Sequence, residues 1–477
     1  MGATTMATLA ALAIVAQDHT ALRAAPRDSA PQQAVLWAGD TLEVRGVKGD
    51  FLQVYDHRRE RAGFVRAPAT RPLPLEAAQA PALRTVVTFL RDAPGAEALG
   101  IGYAAAYLRA APAETIDGNL FADIGAMAER LADRVSAAER TRQRDVAATA
   151  QLDVVAHYGI RMESAERDGQ VRLCYDGEAW RRTMALAAEP QARAQAALAL
   201  TREDCIATTL TPTERAAQDR WRADVLARVD PAPLPPAMQQ RLRVRKASVW
   251  ASIAFARARA ATPDATEVRA AGVQALDALA GIDAGELDER DQAAFNDAAM
   301  AVGAVRWAAE ADTDATTGTL FVTLRSGEPG QTCIDLRERR QPQATPLVSR
   351  CTYGKVWPAS ANAERKGKAL ALAVQPMDGW RETWVFRQTA QGWQVDALPP
   401  AASGPALGYV EFAGWVPGGK EMLVAGEARE GGRYRKRFAV VDVETLAMRK
   451  QADHPRALSA FYRWQSPQWK ALTVSLR

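Results

Sequence analysis

The residues that could carry chemistry are few and lie far apart in the sequence. The chain has 477 residues but only four histidines, His19, His57, His157 and His454, and each stands alone. A catalytic serine or cysteine needs a neighbouring base, and zinc needs several closely spaced Cys or His ligands. The sequence contains no His-Glu-x-x-His, no Gly-x-Ser-x-Gly and no phosphate-binding loop with a lysine. We therefore predict no cofactor, no metal site and no catalytic residue.

The charged residues are balanced and well mixed along the chain. There are 60 basic and 56 acidic residues, which gives a formal net charge of +4 at pH 7. A nucleic-acid-binding domain concentrates Lys and Arg on one face, so this composition argues against a nucleic-acid partner. After the first twenty residues, no apolar run reaches the length of about 18 that is needed to cross a membrane. We therefore predict no transmembrane span in the mature chain.

The four cysteines are spaced so that two local pairs are available. Pairing Cys174 with Cys205 and Cys333 with Cys351 would place each bridge inside one predicted domain, although four cysteines allow three pairings. Disulfides persist in oxidising compartments, so this spacing favours a periplasmic or otherwise exported protein. The alternative is a cytosolic protein with four buried free thiols.

Residues 1–16 are predicted to be a signal-like segment. The run from Ala7 to Ala16 is apolar, too short to span a membrane, and ends in small residues that suit cleavage. Cleavage after Ala16 would leave Gln17 as the first residue, and Ala13 ends a competing cleavage site. Because no Lys or Arg precedes the apolar run, a disordered alanine-rich leader is the alternative.

Residues 17–67 alternate short apolar strands with turn residues, which predicts a small β-barrel. The pattern comprises Leu22-Arg23 before a proline turn, Gly-Asp-Thr-Leu-Glu-Val at 39–44, Gly-Asp-Phe-Leu-Gln-Val-Tyr at 49–55 and Gly-Phe-Val at 63–65. This series of motifs resembles the bacterial SH3 domain family. The resemblance implies an SH3-like module that binds peptidoglycan stem peptides or a protein partner.

Four aromatic residues are candidates for a ligand groove in this predicted barrel: Trp37, Phe51, Tyr55 and Phe64. In the bacterial SH3 family the last motif is commonly Gly-Trp-Val, and here Phe64 takes the place of that tryptophan. Because large aromatic side chains also fill small cores, core packing is the favoured alternative for Phe51 and Phe64.

Residues 68–81 hold four prolines, which predicts a stiff linker. Residues 82–313 carry apolar residues at helical spacing, which predicts an α-helical bundle or solenoid. Within them, Thr262-Pro263-Asp264 predicts a helix start and Gly281 a helix end. The apolar stripes are Phe121, Ile124, Met127, Leu131 and Val135, then Trp221, Val225 and Val229, and finally Val268, Val273, Leu276 and Leu279.

Residues 318–477 change to short β-prone runs, which predicts a C-terminal all-β domain. A weak repeat of tryptophan, turn, lysine and strand begins at Trp357, Trp415 and Trp464. This repeat resembles the turn of TolB-type propeller blades, and the resemblance implies a propeller-like domain. About 160 residues would make only three or four blades, so an open, sandwich-like arrangement is the alternative.

The predicted function follows from the predicted location and the predicted SH3-like module. We expect a non-enzymatic, exported cell-envelope protein whose SH3-like module binds cell-wall peptides or a protein partner. One alternative is a cell-envelope hydrolase with an unrecognised active site in the helical domain. A cytosolic scaffold is the other.

Overall fold

A computed structural model of the chain describes residues 11–141, 145–167, 170–310, 318–402 and 407–472. The chain divides into two compact units. The first comprises Met1–Leu210 with Ala232–Leu234, and the second comprises Thr211–Pro231 with Pro235–Arg477. The boundary falls inside residues 82–313, so the helices that we predicted to form one domain are shared between two units.

The first unit begins with a seven-stranded antiparallel sheet in the order β3-β2-β6-β5-β4-β1-β7. Alternation of apolar and polar residues predicted strands at 41–46 and 51–55, and the structure has strands at both places. One face of the sheet has its own core, made of Val15, Leu22, Leu36, Leu42, Val54 and Val65. The strands are β1 (Ala11–Val15), β2 (Thr20–Arg23), β3 (Gln32–Leu36), β4 (Thr41–Lys48), β5 (Phe51–Asp56), β6 (Arg61–Arg66) and β7 (Thr70–Leu73).

Strand β1 differs from the prediction that residues 1–16 are a signal-like segment outside the fold. It pairs with β4 on one side and with β7 on the other, and Ile14 and Val15 are completely buried. A short apolar run suits a buried strand as well as a signal, and here the structure uses residues 11–15 as a strand. Residues 1–10 lie outside the described residues. Strand β7 likewise occupies part of the predicted linker at 68–81.

Six helices and a hairpin follow in the described part of the first unit. All five residues of the stripe from Phe121 to Val135 lie on α3 and are buried, which confirms that amphipathic helix. Helix α2 packs closely on the sheet, because a Cβ added to Gly102 would lie 2.7 Å from Ile14 Cδ1. The elements are α1 (Ala80–Arg91), α2 (Glu97–Ala110), α3 (Gly118–Thr141), α4 (Val146–His157), β8 (Met162–Arg167), β9 (Gln170–Tyr175), α5 (Glu178–Ala185) and α6 (Pro190–Leu200).

The second unit opens with helices α7 (Pro212–Ala227), α8 (Pro236–Ala258), α9 (Ala265–Ala280) and α10 (Glu289–Val305). Asp264 caps α9 by accepting hydrogen bonds from two backbone N–H groups, as its helix-start pattern predicted. Val273 differs from the rest of its predicted stripe because it is exposed. Among the described residues, no helix is both long enough and apolar enough to cross a membrane.

The remainder of the second unit consists mainly of three successive antiparallel meanders, which confirms a C-terminal β region. The first has three strands. The second and third have four each and meet where β15 and β17 pair in parallel. The strands are β10 (Leu320–Ser326), β11 (Thr332–Glu338), β12 (Val348–Thr352), β13 (Lys355–Ala363), β14 (Ala369–Met377), β15 (Trp380–Thr389), β16 (Gly392–Leu398), β17 (Leu407–Trp415), β18 (Glu421–Glu430), β19 (Arg433–Asp442) and β20 (Met448–Ala452).

Two copies of the tryptophan repeat form strand pairs, whereas the third copy forms helices. Trp357 lies on β13 before β14, and Trp415 ends β17 before β18, as the pattern predicted. Trp464 instead ends the short helix α11 (Ser459–Trp464), and α12 (Pro467–Leu472) follows it. The third copy is helical because Pro467 can begin a helix where the pattern required a turn.

Both predicted disulfides are present, Cys174–Cys205 and Cys333–Cys351. The first ties β9 to the segment after α6, and the second joins neighbouring positions of β11 and β12. Each bridge therefore lies within one compact unit. The described residues contain no free cysteine.

Removing the Cys174–Cys205 bridge is expected to cost about 3–4 kcal/mol, because its closed loop restricts the unfolded chain. The bridge spans a sequence separation of 31, against 18 for Cys333–Cys351. Urea unfolding of the Cys174→Ala/Cys205→Ala variant should show this loss, with Cys333→Ala/Cys351→Ala as the comparison. Hydrogen exchange should place each loss in the unit that holds the bridge. If the urea unfolding midpoints do not change, the two disulfides do not contribute to the stability of the protein.

Candidate functional site

A pocket in the first unit brings together polar residues that are far apart in the sequence. Its volume is about 230 Å³. The sheet side supplies residues from β1, β4 and two turns, and the helical side supplies residues from α2, from α4 and just beyond it. The polar side chains that line it belong to Asp40, Thr41, Glu43, His57, Arg58, Arg109, His157 and Tyr158.

The turn between β3 and β4 forms one wall of the pocket. Asp40 Oδ2 accepts a hydrogen bond of 2.9 Å from the Trp37 backbone N–H. Gly39 has a φ of 96°, and a Cβ there would lie 2.6 Å from the carbonyl oxygen of Ala98 on α2, so both conformation and contact require glycine. The Gly39 carbonyl accepts a 2.6 Å hydrogen bond from the Tyr158 hydroxyl, which joins the turn to the end of α4.

Asp40 is buried and is balanced by two arginines. Its carboxylate oxygens lie 3.1 Å from Arg59 Nη2 and 3.4 Å from Arg58 Nη2. Arg59 also pairs with Asp56 at 2.7 Å, so its charge is shared between two carboxylates. Arg58 Nη1 is buried and has no hydrogen-bond partner among the described residues. Because an unpaired buried donor costs about 1–3 kcal/mol, this atom would gain from a ligand that accepts a hydrogen bond.

Glu43, on β4, organises a second group of side chains. Its Oε2 lies 2.7 Å from His57 Nε2, and its Oε1 accepts a hydrogen bond of 2.9 Å from Arg45 Nε. These hydrogen bonds, first from Arg45 and then from His57, hold the pKa of Glu43 below its ordinary value. The carboxylate is therefore ionised at neutral pH and orients the imidazole. Tyr55 packs edge-on against His57, with 4.8 Å between ring centroids.

The helical wall adds Arg109, His157 and Tyr158. Arg109, near the end of α2, is exposed and makes no hydrogen bond or ion pair with another residue in the described ranges. His157 packs edge-on against Tyr158 at 5.7 Å between ring centroids. Burial raises the pKa of Tyr158, so its hydroxyl stays protonated and donates to the turn. On this wall the exposed Arg109 guanidinium is available to a ligand, and so is the exposed His157 ring.

The pocket is suited to an anionic group. Asp40 is neutralised by its two arginines, and Glu43 is paired with Arg45 and His57, so neither carboxylate leaves an uncompensated negative charge. Arg58 Nη1 and the Arg109 guanidinium then supply donors that no acceptor in the described ranges uses. Within the part of the chain that the structure describes, no group of three or more His, Cys, Asp and Glu side chains could hold a metal ion.

The four aromatic residues predicted for a ligand groove do not line this pocket, but two of them border it. Trp37 begins the turn that carries Asp40, and its ring packs on His19 with 4.4 Å between centroids. Tyr55 supports the His57 ring. Phe51 is 6% exposed and lies beside the Arg66 guanidinium, which agrees with the core alternative.

Phe64, the fourth predicted aromatic residue, is half-buried on β6 and pairs across the sheet with Gln53 and Arg23. In the sequence, His57 and His157 stand as isolated histidines, and no pattern singles out Arg109. No sequence signal joins these residues, because they come from a turn and two helices that only the folded unit brings together.

Comparison with known proteins provides no family for this chain. No protein-family model, no curated protein and no solved structure matches it. The resemblances to bacterial SH3 domains and to TolB-type blades therefore stay predictions.

Proposed function

We propose that the chain is a non-enzymatic, exported cell-envelope protein whose first unit binds the carboxylate-bearing end of a peptide. The peptide is a stem peptide of the cell wall or a segment of an envelope protein partner. The observation that carries the proposal is that two arginines lining one pocket, Arg58 and Arg109, both have side-chain N–H donors without a hydrogen-bond partner among the described residues.

The chemistry of the two arginines favours a carboxylate. A guanidinium presents several N–H donors in one plane, and charge-assisted hydrogen bonds to a carboxylate are stronger than those between neutral groups. Glu43 lies in the same pocket and is ionised, so it can accept a hydrogen bond from an amine of the same ligand. Wall peptides carry both carboxylates and amines, and this combination matches the two kinds of group in the pocket.

The size of the pocket supports a peptide end and not a whole glycan. Pockets for drug-sized ligands enclose roughly 300–1,000 Å³, whereas this one encloses about 230 Å³. It can therefore take the end of a chain, with the remainder of the ligand outside. The ring of Tyr55 packs on His57, which lines the pocket, and could pack against the next part of the ligand.

Two findings are compatible with export. The two disulfides are of the kind that persists in oxidising compartments. None of the helices in the described ranges could cross a membrane. The proposed location in the cell envelope is supported by these findings together with the predicted SH3-like motifs at 39–44, 49–55 and 63–65.

One observation favours the alternative of an envelope hydrolase. The 2.7 Å contact between Glu43 and His57 is the arrangement of a carboxylate that orients a general base. However, none of the described residues that line the pocket is a serine or a cysteine. A hydrolase would have to use the Thr41 hydroxyl as nucleophile or activate a water molecule directly.

Calorimetric titration of the full chain with the tripeptide L-Ala-γ-D-Glu-L-Lys is expected to show binding, and amidation of the peptide carboxylates should weaken it. Arg109→Ala should reduce the affinity about 10- to 100-fold, because a hydrogen bond to a charged group is lost. The melting temperature should not change, since Arg109 is exposed. Arg27→Ala, at an exposed arginine that does not line the pocket, should bind like the parent.

Two results would contradict this proposal. If the tripeptide fails to bind, or if Arg109→Ala and Arg27→Ala bind it equally well, the pocket is not a carboxylate site. Chromatography of the peptide after incubation adds a separate readout, because cleavage that depends on His57 would establish the hydrolase instead.

A further inference from the structure

Two arginines and one glutamate are buried together in the second unit. Arg381 Nη2 donates a 2.8 Å hydrogen bond to Glu411 Oε1, and Arg306 Nε donates to the same oxygen. None of the three side chains is more than 3% exposed. Burial lowers the pKa of Arg381 to about 10, so Arg381 is charged at neutral pH. One carboxylate thus serves two guanidinium groups, and burying an uncompensated charge is costly.

A small cavity adjoins these side chains. Its volume is about 20 Å³, which is enough for one occupant the size of a water molecule. Arg306 and Trp469 line the cavity, and Arg306 Nη1 and Trp469 Nε1 are buried without a hydrogen-bond partner among the described residues. Arg381 Nε and Nη1, in the same cluster, are also buried and unpartnered.

The unpartnered atoms of Arg306, Arg381 and Trp469 are all donors, so the occupant of the cavity must accept hydrogen bonds. A water molecule would accept from two of them and could donate to the Thr383 hydroxyl or the Glu411 carboxylate, which also line the cavity. A neutral water molecule would, however, leave the second guanidinium beside Glu411 without a counter-charge. An anion brings no hydrogen, accepts from several donors and supplies the missing negative charge.

We propose that this cavity binds a monovalent anion of the size of chloride. The anion accepts hydrogen bonds from Arg306 Nη1 and Trp469 Nε1 and balances the second guanidinium beside Glu411. Because Arg306 follows α10, Glu411 lies on β17 and Trp469 lies on α12, the anion joins three separate elements of the second unit. This site is independent of the peptide pocket proposed for the first unit.

Thermal unfolding of the full chain at constant ionic strength tests the proposal. Replacing sodium gluconate by sodium chloride is expected to raise the unfolding temperature progressively, since a ligand that binds the folded state stabilises it by mass action. In crystals grown with bromide, an anomalous peak should lie in the cavity between Arg306 Nη1 and Trp469 Nε1. An ordered water only, together with an unfolding temperature that does not depend on the anion, would overturn the proposal.

Substitution at Trp469 separates a specific site from general salt effects. Trp469→Phe removes the Nε1 donor but keeps an aromatic ring, so the unit should fold and its apparent chloride affinity should fall about tenfold or more. Trp393→Phe is the matched control, because Trp393 is in the same unit but does not line the cavity. Equal chloride dependence in both variants would show that the effect is general and would also overturn the proposal.

Discussion

A chain that begins at Gln17 is expected to lose the fold of the first unit. Strand β1 lies between β4 and β7, so its removal leaves the facing backbone groups of both strands without partners and separates β7 from the sheet. Backbone groups that stay unpaired within the core raise the free energy of the folded state, unless they find other hydrogen-bond partners. The deletion also removes Ile14 and Val15, which are completely buried.

Circular dichroism and hydrogen exchange of the shortened chain should show an unfolded first unit beside a protected second unit. A matched pair of point variants tests the same strand without deleting it. Val15→Ala should lower the free energy of unfolding by about 2 kcal/mol. Val47→Ala, at a position that is 69% exposed in the same sheet, should change it by no more than about 0.5 kcal/mol. A shortened chain with native protection would show that β1 is dispensable.

Replacing Glu411 is expected to be the most damaging single substitution in the second unit. Glu411→Gln keeps the size of the side chain but leaves Arg306 and Arg381 buried without their shared carboxylate. Breaking a buried ion pair in this way costs about 3–5 kcal/mol. Glu430→Gln is the control, because its pair with Arg435 is partly exposed and spans 3.5 Å. Such surface pairs contribute about 0–1 kcal/mol.

The same glutamate makes the stability of the second unit dependent on pH. Burial alone would raise the pKa of Glu411, but the charges of Arg306 and Arg381 outweigh burial and lower it to about 2 from an ordinary value of 4.5. A depressed folded-state pKa contributes stability that is complete above pH 4.5 and is lost as the pH falls toward 2. Urea unfolding across this range should show a steeper loss in the parent than in Glu411→Gln. Parallel curves would contradict the assignment.

The sequence predicted best those features that depend on local spacing. The stripe on α3 follows from a periodicity within one helix. Asp264 caps α9 by accepting hydrogen bonds from the backbone N–H groups of Thr266 and Glu267. The two disulfides join cysteines that are close in the sequence, so local pairing was the simplest of the three possibilities. In each case the residues that decide the structure lie no more than 31 positions apart in the sequence.

Features that depend on distant contacts could not be predicted. An apolar run such as Ala11–Val15 suits both a signal and a buried strand, and only its pairing with β4 and β7 decides between them. A helix start at Thr211 and Pro212 directly follows the boundary at Leu210, but such a start looks the same within a unit as between two units. The pocket was missed for the same reason, because His57 and Arg109 meet only after the sheet packs on α2.

The pocket lies between the sheet and the helices of the first unit. Its residues come from the sheet and from α2 and α4, and the packing of sheet on helix includes the close approach of Gly102 to Ile14. If the pocket binds the peptide as proposed, ligand binding and the packing of the sheet on its helices are thermodynamically linked. The proposed recognition element is then the assembled first unit, and a fragment limited to residues 17–67 would carry only half of the proposed binding surface.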